Sequence, residues 1–232
     1  MNQTPPHWDF KKGEVLLVDK PYGWSSFDVI RKLKKPIGAK VGHAGTLDPM
    51  ATGLLILCTG RKTKSIESYQ AQEKEYTGTL CLGHTTPSYD AETEADAHFP
   101  TGHIDEALVR KTSLHFLGEQ QQRPPVYSAV KVQGKRAYKM ARKGEDILLK
   151  TRNVTIYELE VLRLKAGRAD FRVRCSKGTY IRTLAHDWAR KMGSGGHLCA
   201  LRRTATGPHR IEDAWSVEAL LQALRAAQNP PE

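Results

Sequence analysis

Segments with strand-like and helical hydrophobic spacing interleave irregularly along the chain, and this pattern constrains the fold more than any other feature. The helical spacing is clearest from Ile181 to Met192, where apolar side chains recur every three or four residues. Strand-like runs come in adjacent pairs typical of hairpins, as in 154–164 and 169–175. No internal repeat and no Gly/Ser-rich linker interrupts them. We therefore predict a single α+β (mixed α/β) domain rather than a doubly wound sheet.

The first helix carries the most detailed local signals. Ser25 followed by Asp28 predicts a capping box at its start, and Pro36 is expected to stop it. The next segment, 37–53, is rich in glycine and turn residues and predicts a long loop. The other predicted strands are 14–18, 54–59, 75–82 and 198–205, and the other predicted helices are 62–72, 104–117, 136–143 and 217–227.

The charge of the chain indicates a polyanionic partner. Among 232 residues, Lys and Arg outnumber Asp and Glu by 36 to 25, so the formal net charge is +11. The excess lies in the second half: between Arg123 and Arg152, nine basic residues are opposed only by Glu145 and Asp146. Solvated helix and strand faces could account for any one run, but three consecutive runs favour nucleic acid.

Several classes of protein are excluded by what the sequence lacks. No apolar run approaches the length that a membrane span requires, and no secretory leader is expected at the N-terminus. The four cysteines are widely spaced and contain no CxxC pair, so neither a disulfide framework nor a zinc site is predicted. A reducing cytoplasm is the expected compartment.

The segment 42–55, GHAGTLDPMATGLL, carries the strongest chemical signal. Two glycines precede Asp48, and Pro49 biases Asp48 toward an extended backbone. Such a loop could hold one carboxylate rigidly at the mouth of a cleft. On these residues alone, Asp48 is better explained as an ordinary turn residue. The loop fits neither phosphate-binding glycine motif.

This segment resembles the signature loop of the TruB family of pseudouridine synthases, which modify the TΨC arm of tRNA. Other segments resemble motifs of that family in the same order, so the resemblance covers about residues 14–215. They are KPYGWSS (20–26), KEY (74–76), LGHTTPSYD (82–90), RPPVYSAVK (123–131), KGTYIRTL (177–184) and GHLCALRR (196–203) with Gly207. In the third segment Ser88 stands where the family usually has threonine.

The resemblance implies the pseudouridine synthase fold, with a central, mostly antiparallel sheet flanked by helices and a catalytic loop in a basic cleft. It implies that Asp48 is the catalytic carboxylate that acts at the glycosidic bond, either as nucleophile or as base at the ribose. Arg182 would pair with Asp48 and keep it ionised, and Tyr76 would stack on the flipped uracil. Tyr180 and Leu201 would line the pocket, and His43 would fill the space that the base leaves.

The resemblance further implies a reaction without cofactor or metal and a tRNA partner, bound through its TΨC stem-loop. Lys20 is expected to shape its turn against the catalytic loop. No protein or membrane partner is implied, and a monomer is expected. Residues 1–13 would be an N-terminal extension, 14–215 the catalytic domain, and 216–232 a short helix and tail without the PUA-like domain of many relatives.

Two other functions are compatible with the residues. A tRNA-binding folding helper would use the same basic surface but would not need Asp48. Base excision would use a carboxylate to break the same bond, but hydrolysis normally needs a second acid or base, and the signature loop offers no other carboxylate.

Overall fold

The computed structural model describes residues 8–128, 130–132, 134–141, 143–145 and 147–228. The strands are β1 (Val15–Lys20), β2 (Val41–Ala44), β3 (Ala51–Thr59), β4 (Lys74–Leu82), β5 (His84–Thr85), β6 (Ala97–His98), β7 (Gly118–Gln122), β8 (Lys131–Val132), β9 (Lys135–Arg136), β10 (Arg152–Lys165), β11 (Arg168–Cys175), β12 (Gly196–Thr206), β13 (His209–Arg210) and β14 (Trp215–Ser216). The helices are α1 (Ser26–Ile37), α2 (Ile66–Ala71), α3 (Glu106–Ser113), α4 (Ala137–Ala141), α5 (Ile181–Lys191) and α6 (Val217–Gln228). Among the described residues, no helix is long and apolar enough to cross a bilayer.

The chain forms two compact units. The first unit contains residues 1–74 and 202–232, and the second contains residues 75–201. The chain passes from one unit to the other within β4 and within β12. Each unit contains sheet strands and helices, which agrees with the predicted α+β class.

The sheet of the first unit has the order β14-β1-β3-β12, and β2 and β13 pair with β3 and β12. β1 is antiparallel to β3 and parallel to the short β14. Helices α1 and α6 supply the apolar side chains that cover it, with Leu33, Val29 and Leu220 fully buried beside Val18 of β1. Burial of these apolar side chains is the main source of stability of α1 and α6, because isolated helices of this length are marginal in water.

The sheet of the second unit has the order β12-β4-β11-β10-β7. β10 is antiparallel to both β11 and β7, so the predicted hairpin and the mostly antiparallel sheet are confirmed. Its core includes Phe171 of β11 and Trp188 of α5, both fully buried, with ring centroids 5.8 Å apart. Trp188 donates its indole N–H to Thr112 Oγ1 at 3.0 Å, which satisfies its one polar group.

Two local predictions need correction. The capping box at Ser25 is present, but α1 contains Pro36 and ends instead at Gly38, which adopts φ 65°. A proline in the last turn removes one backbone donor without ending the helix, whereas the left-handed glycine redirects the chain. The predicted loop 37–53 contains β2, which pairs with β3. Gly42 has no side chain, so the alternation of apolar and polar residues that predicts a strand is not visible in β2. Backbone pairing with the buried strand β3 stabilises β2 although its residues have a low strand propensity.

The cysteine prediction also needs correction, because Cys81 of β4 and Cys199 of β12 form a disulfide bond. These cysteines are 118 residues apart in the chain, so their spacing gave no signal. Their strands are neighbours in the sheet of the second unit, which places the two Cα atoms 5.9 Å apart. Cys58 and Cys175 are buried and lie outside the disulfide.

Candidate active site

The six predicted site residues divide between the two units: His43 and Asp48 lie in the first, and the other four lie in the second. Asp48 lies on the short connection between β2 and β3. Its neighbour Leu47 is fastened to α1 by two hydrogen bonds. The backbone N–H of Leu47 donates to Ser26 Oγ at 2.9 Å, and Ser26 Oγ donates to the Leu47 carbonyl at 3.1 Å. Both residues are buried, so these bonds hold the loop at the start of α1.

The other side of Asp48 is held by the turn that follows β1. Gly23 donates its backbone N–H to the Pro49 carbonyl at 2.8 Å. Lys20, fully buried, donates from Nζ to the carbonyls of Trp24 at 2.5 Å and Pro49 at 3.3 Å. The expectation that Lys20 shapes this turn against the Asp48 loop is therefore confirmed.

The ammonium group of Lys20 is also electrostatically coupled to the loop. Burial lowers its pKa from 10.5 to about 8, while the charges of Asp48 and Asp28 act in the opposite direction. The nearby positive charge of Arg203 lowers it further. Asp48 thus lies in the electrostatic surroundings of a buried cation of its own unit, and its charge favours the protonated form of that lysine.

Arg203 fixes the two ends of the Asp48 loop. Its Nε donates to the Leu54 carbonyl at 2.6 Å, and its Nη2 donates to the Gly45 carbonyl at 3.0 Å, although the residue is only 1% exposed. Gly53 adopts φ 101° against the Arg203 backbone, where a Cβ atom would collide. Sequence reasoning did not assign Arg203 a role; its position in the motif GHLCALRR was the available signal.

His43 lies on β2, opposite Leu57 of β3, and is half-buried. Burial lowers the pKa of its imidazole, and the positive charge of Arg203 contributes in the same direction. Its buried Nδ1 has no hydrogen-bond partner within the described part of the chain. Both effects favour the neutral form of the ring, and its predicted role in filling the space left by the base stays a prediction.

Arg182, at the start of α5, is buried and contacts three residues of the second unit. Its Nη1 donates to the carbonyls of Ser88 at 3.1 Å and Tyr127 at 2.9 Å. The same nitrogen lies 3.4 Å from Asp90 Oδ2, and both side chains are almost completely buried. Asp90, which sequence reasoning treated only as the end of a motif, therefore orients Arg182. The pairing of Arg182 with Asp48 stays a prediction.

Tyr180 immediately precedes α5, and Gln122 holds its backbone at two points. The Tyr180 N–H donates to Gln122 Oε1 at 2.7 Å, and Gln122 Nε2 donates to the Tyr180 carbonyl at 3.0 Å. The guanidinium carbon of Arg152 lies 5.2 Å from the centroid of the Tyr180 ring. Gln122 was missed by sequence reasoning, because a glutamine at the end of a polar strand is usually solvated.

The last two predicted site residues lie on strands of the second unit. Tyr76 of β4 is 9% exposed and belongs to the buried face of that strand, while Leu201 of β12 is half-buried. The predicted basic run is partly exposed, with Lys135, Lys143 and Lys150 facing solvent. Arg142 of that run lies outside the described residues.

Comparison with known proteins decides the family. The model of the TruB family pseudouridylate synthase N-terminal domain matches residues 31–181. The model of the tRNA pseudouridylate synthase B C-terminal domain matches residues 182–232. The chain belongs to the TruB family of pseudouridylate synthases.

Curated relatives of this TruB-family chain match it over almost their whole length. A protein of Flavobacterium johnsoniae named tRNA pseudouridine synthase B is 50% identical over 225 residues, covering 94% of this chain and 98% of the relative. A protein of the same name from Phocaeicola vulgatus is 52% identical over 223 residues, covering 93% and 95%.

Solved structures support the same fold. The chain matches one in the crystal structure of a Cbf5-Nop10-Gar1 complex with a TM-score of 0.75 and 28% identity, over 98% of this chain. It matches one in an H/ACA RNP bound to a substrate RNA containing 2'-deoxyuridine with a TM-score of 0.70 and 26% identity, over 99% of this chain. The TruB-family chain spans 62% of the length of each of these two chains.

Proposed function

We propose that this chain isomerises uridine-55 in the TΨC loop of tRNA to pseudouridine. The observation that carries the proposal is the match to curated relatives named tRNA pseudouridine synthase B, at about half identity over nearly the full chain. The placement of Asp48 supports it, because its loop exchanges two buried hydrogen bonds with Ser26 and accepts others from Lys20 and Arg203. A catalytic group gains most when its position is fixed before the substrate arrives.

The reaction needs no net oxidation or reduction. The N1–C1′ bond breaks, the uracil turns over, and a C5–C1′ bond forms; C5 then loses its proton and N1 carries one. The base must first leave the stack, since its glycosidic face is otherwise inaccessible. Asp48 acts at the ribose, as a nucleophile at C1′ or as a base, and both routes require the carboxylate form.

The residues of the second unit complete this proposal. Tyr76 would stack on the extruded uracil, and Tyr180 and Leu201 would form pocket walls. Arg182 would face the Asp48 carboxylate with an orientation set by Asp90. The exposed lysines of the basic run would bind phosphates, which position the RNA without specifying its sequence. We further propose that the protein acts as a monomer in the cytoplasm.

Tritium release from a tRNA transcript carrying C5-tritiated uridine tests the proposal, because isomerisation frees that hydrogen, whereas RNA folding and base excision leave it on C5. We expect wild type to release one tritium per tRNA, and Asp48→Asn to bind tRNA with unchanged affinity but to release none. Normal turnover by Asp48→Asn would contradict the assignment. Tight binding without release by wild type would favour the RNA-folding helper, and free uracil in the products would favour base excision.

A further inference from the structure

The strongest feature outside the proposed active site is a group of metal-ligating side chains in the second unit. The Sγ atoms of Cys81 and Cys199 and one ring nitrogen of His197 all lie within 4.8 Å of one another. Cys81 lies on β4. His197 and Cys199 are two residues apart on β12 and therefore lie on the same face of that strand. The proposed function assigns no role to any of these three side chains.

The second observation is the orientation of His197. Its Nδ1 lies 3.3 Å from the His84 carbonyl oxygen, so this nitrogen carries the proton and donates it. The other nitrogen, Nε2, then offers its lone pair toward Cys199 Sγ at 3.5 Å. A ligating histidine in a metalloprotein typically has its second nitrogen bonded to a carbonyl or carboxylate in this way.

The distances fit a tetrahedral zinc site. With Zn–S near 2.3 Å and Zn–N near 2.0 Å, the nitrogen–sulfur edge of the tetrahedron is about 3.5 Å, which is the separation of His197 Nε2 and Cys199 Sγ. The sulfur–sulfur edge is about 3.8 Å. Thiolates on strands with Cα atoms 5.9 Å apart can reach that separation by side-chain rotation once the disulfide is reduced.

We propose that Cys81, Cys199 and His197 form a Zn²⁺ site in the reduced protein, of which the disulfide is the oxidised form. A thiol reductant supplies two electrons and two protons, converts the disulfide to two thiols and becomes a disulfide itself. Binding of Zn²⁺ then releases two protons, leaving two thiolates and a neutral imidazole as ligands. Two thiolates and an imidazole select Zn²⁺ over the harder Mg²⁺ and Ca²⁺.

The surroundings of these three side chains allow a cation to enter and to bind a fourth ligand. Cys81 and His197 are buried, whereas Cys199 is half-buried, so a cation can reach the group from its side. The group supplies three protein ligands, which leaves the fourth tetrahedral position to a water molecule. This inference does not depend on the proposed function.

Cobalt titration tests the site directly. Untagged protein, fully reduced and freed of metal without oxygen, is titrated with Co²⁺, which reports thiolate ligands through a sulfur-to-metal charge-transfer band. We expect one Co²⁺ per chain with this band, and displacement by Zn²⁺. Cys199→Ser should weaken Co²⁺ binding by at least about 100-fold. Loss of a metal ligand costs more affinity than loss of a residue that only hydrogen-bonds to a ligand, which itself costs about 10- to 100-fold. His197→Gln should weaken binding and keep part of the band.

The matched control is Cys175→Ala, which removes a buried thiol of the same unit that lies outside the disulfide and should bind Co²⁺ like wild type. A second measurement uses the wild type alone. Zn²⁺ should protect Cys81 and Cys199 of the reduced protein from alkylation, and mass spectrometry identifies the alkylated cysteines. Absence of the band in fully reduced wild type, equal binding by Cys199→Ser, or alkylation unaffected by Zn²⁺ would each overturn the proposal.

Discussion

The Nζ atom of Lys20 lies 3.3 Å from the carbonyl oxygen of Pro49, the residue directly after Asp48. A fully buried lysine thus reaches across its turn to hold the loop that carries the proposed catalytic carboxylate. Its partners are backbone carbonyls, and it makes further bonds to those of Trp24 and Pro21. The positive charge therefore positions the loop rather than facing solvent.

We expect Lys20→Met to lower kcat by about 100-fold, since a displacement of a catalytic group by about 1 Å costs that much. Affinity for tRNA should change little, because the side chain is not exposed. Single-turnover tritium release together with tRNA binding measures both quantities. The control is Lys32→Met, which removes an exposed lysine of α1 and should leave both unchanged.

The pH dependence of kcat and of stability should reflect the titration of Lys20. Because the pKa of Lys20 in the folded protein is about 8, kcat should fall as pH rises through about 8 and the ammonium loses its charge. The stability should respond in the opposite direction. Between about pH 8 and 10.5 the unfolded chain binds this proton and the native state does not, so this group makes the free energy of unfolding rise with pH.

Activity profiles and urea unfolding across this range check both trends, and Lys20→Met should lack both. A wild-type kcat that stays constant to pH 9.5 would contradict the assignment, as would an unfolding free energy with the same pH dependence in Lys20→Met.

Arg203 and Arg202 form a matched pair for a stability test. Arg203→Met removes the guanidinium donor from the buried carbonyl of Leu54 and the half-buried carbonyl of Gly45, and should lower the free energy of unfolding by about 3 kcal/mol. Arg202→Met breaks a half-exposed ion pair with Asp19 and should cost less than about 1 kcal/mol. Chemical denaturation of both variants measures the difference, and equal losses would contradict the role given to Arg203.

Gln122→Met should lower kcat/KM by about 10-fold, because it releases both hydrogen bonds that hold the Tyr180 backbone. The control is Gln120→Met, which lies two residues earlier on β7 and whose side chain donates to the Phe116 carbonyl. Steady-state kinetics on a tRNA transcript compares them. If both variants lose activity equally, the effect belongs to β7 in general and not to Tyr180.

The exposed lysines of the basic run should set the salt dependence of tRNA binding. Replacing Lys135, Lys143 and Lys150 by Gln should reduce the slope of log Kd against log salt by about 2, since each phosphate contact contributes about 0.7 for single strands. Binding titrations at several salt concentrations measure this slope.

The control for that triple variant is replacement of three exposed lysines elsewhere, Lys11, Lys32 and Lys111, by Gln. This variant has the same net charge but should keep the wild-type slope. Equal slopes for the two triple variants would show that the RNA surface is elsewhere.

Local chemistry determined much of this structure. The capping box at Ser25, the hairpin of β10 and β11, and the helical stripe of α5 follow from signals only a few residues apart, and all three are present. These features depend on backbone propensity and on the periodicity of apolar side chains, which the sequence states directly. Asp48 was singled out instead by the resemblance of its segment to a family motif, because its neighbours alone fit an ordinary turn.

The tertiary structure decided what holds those residues. Arg203 looks like a surface cation in the sequence, and only the fold buries it, as it buries Lys20, against carbonyls of the Asp48 loop. The contact of Cys81 with Cys199 exists because β4 and β12 are neighbours in the sheet. Hydrogen bonds and sulfur contacts act over a few ångströms, so partners distant in the chain are set by strand order and packing, which local sequence patterns do not specify.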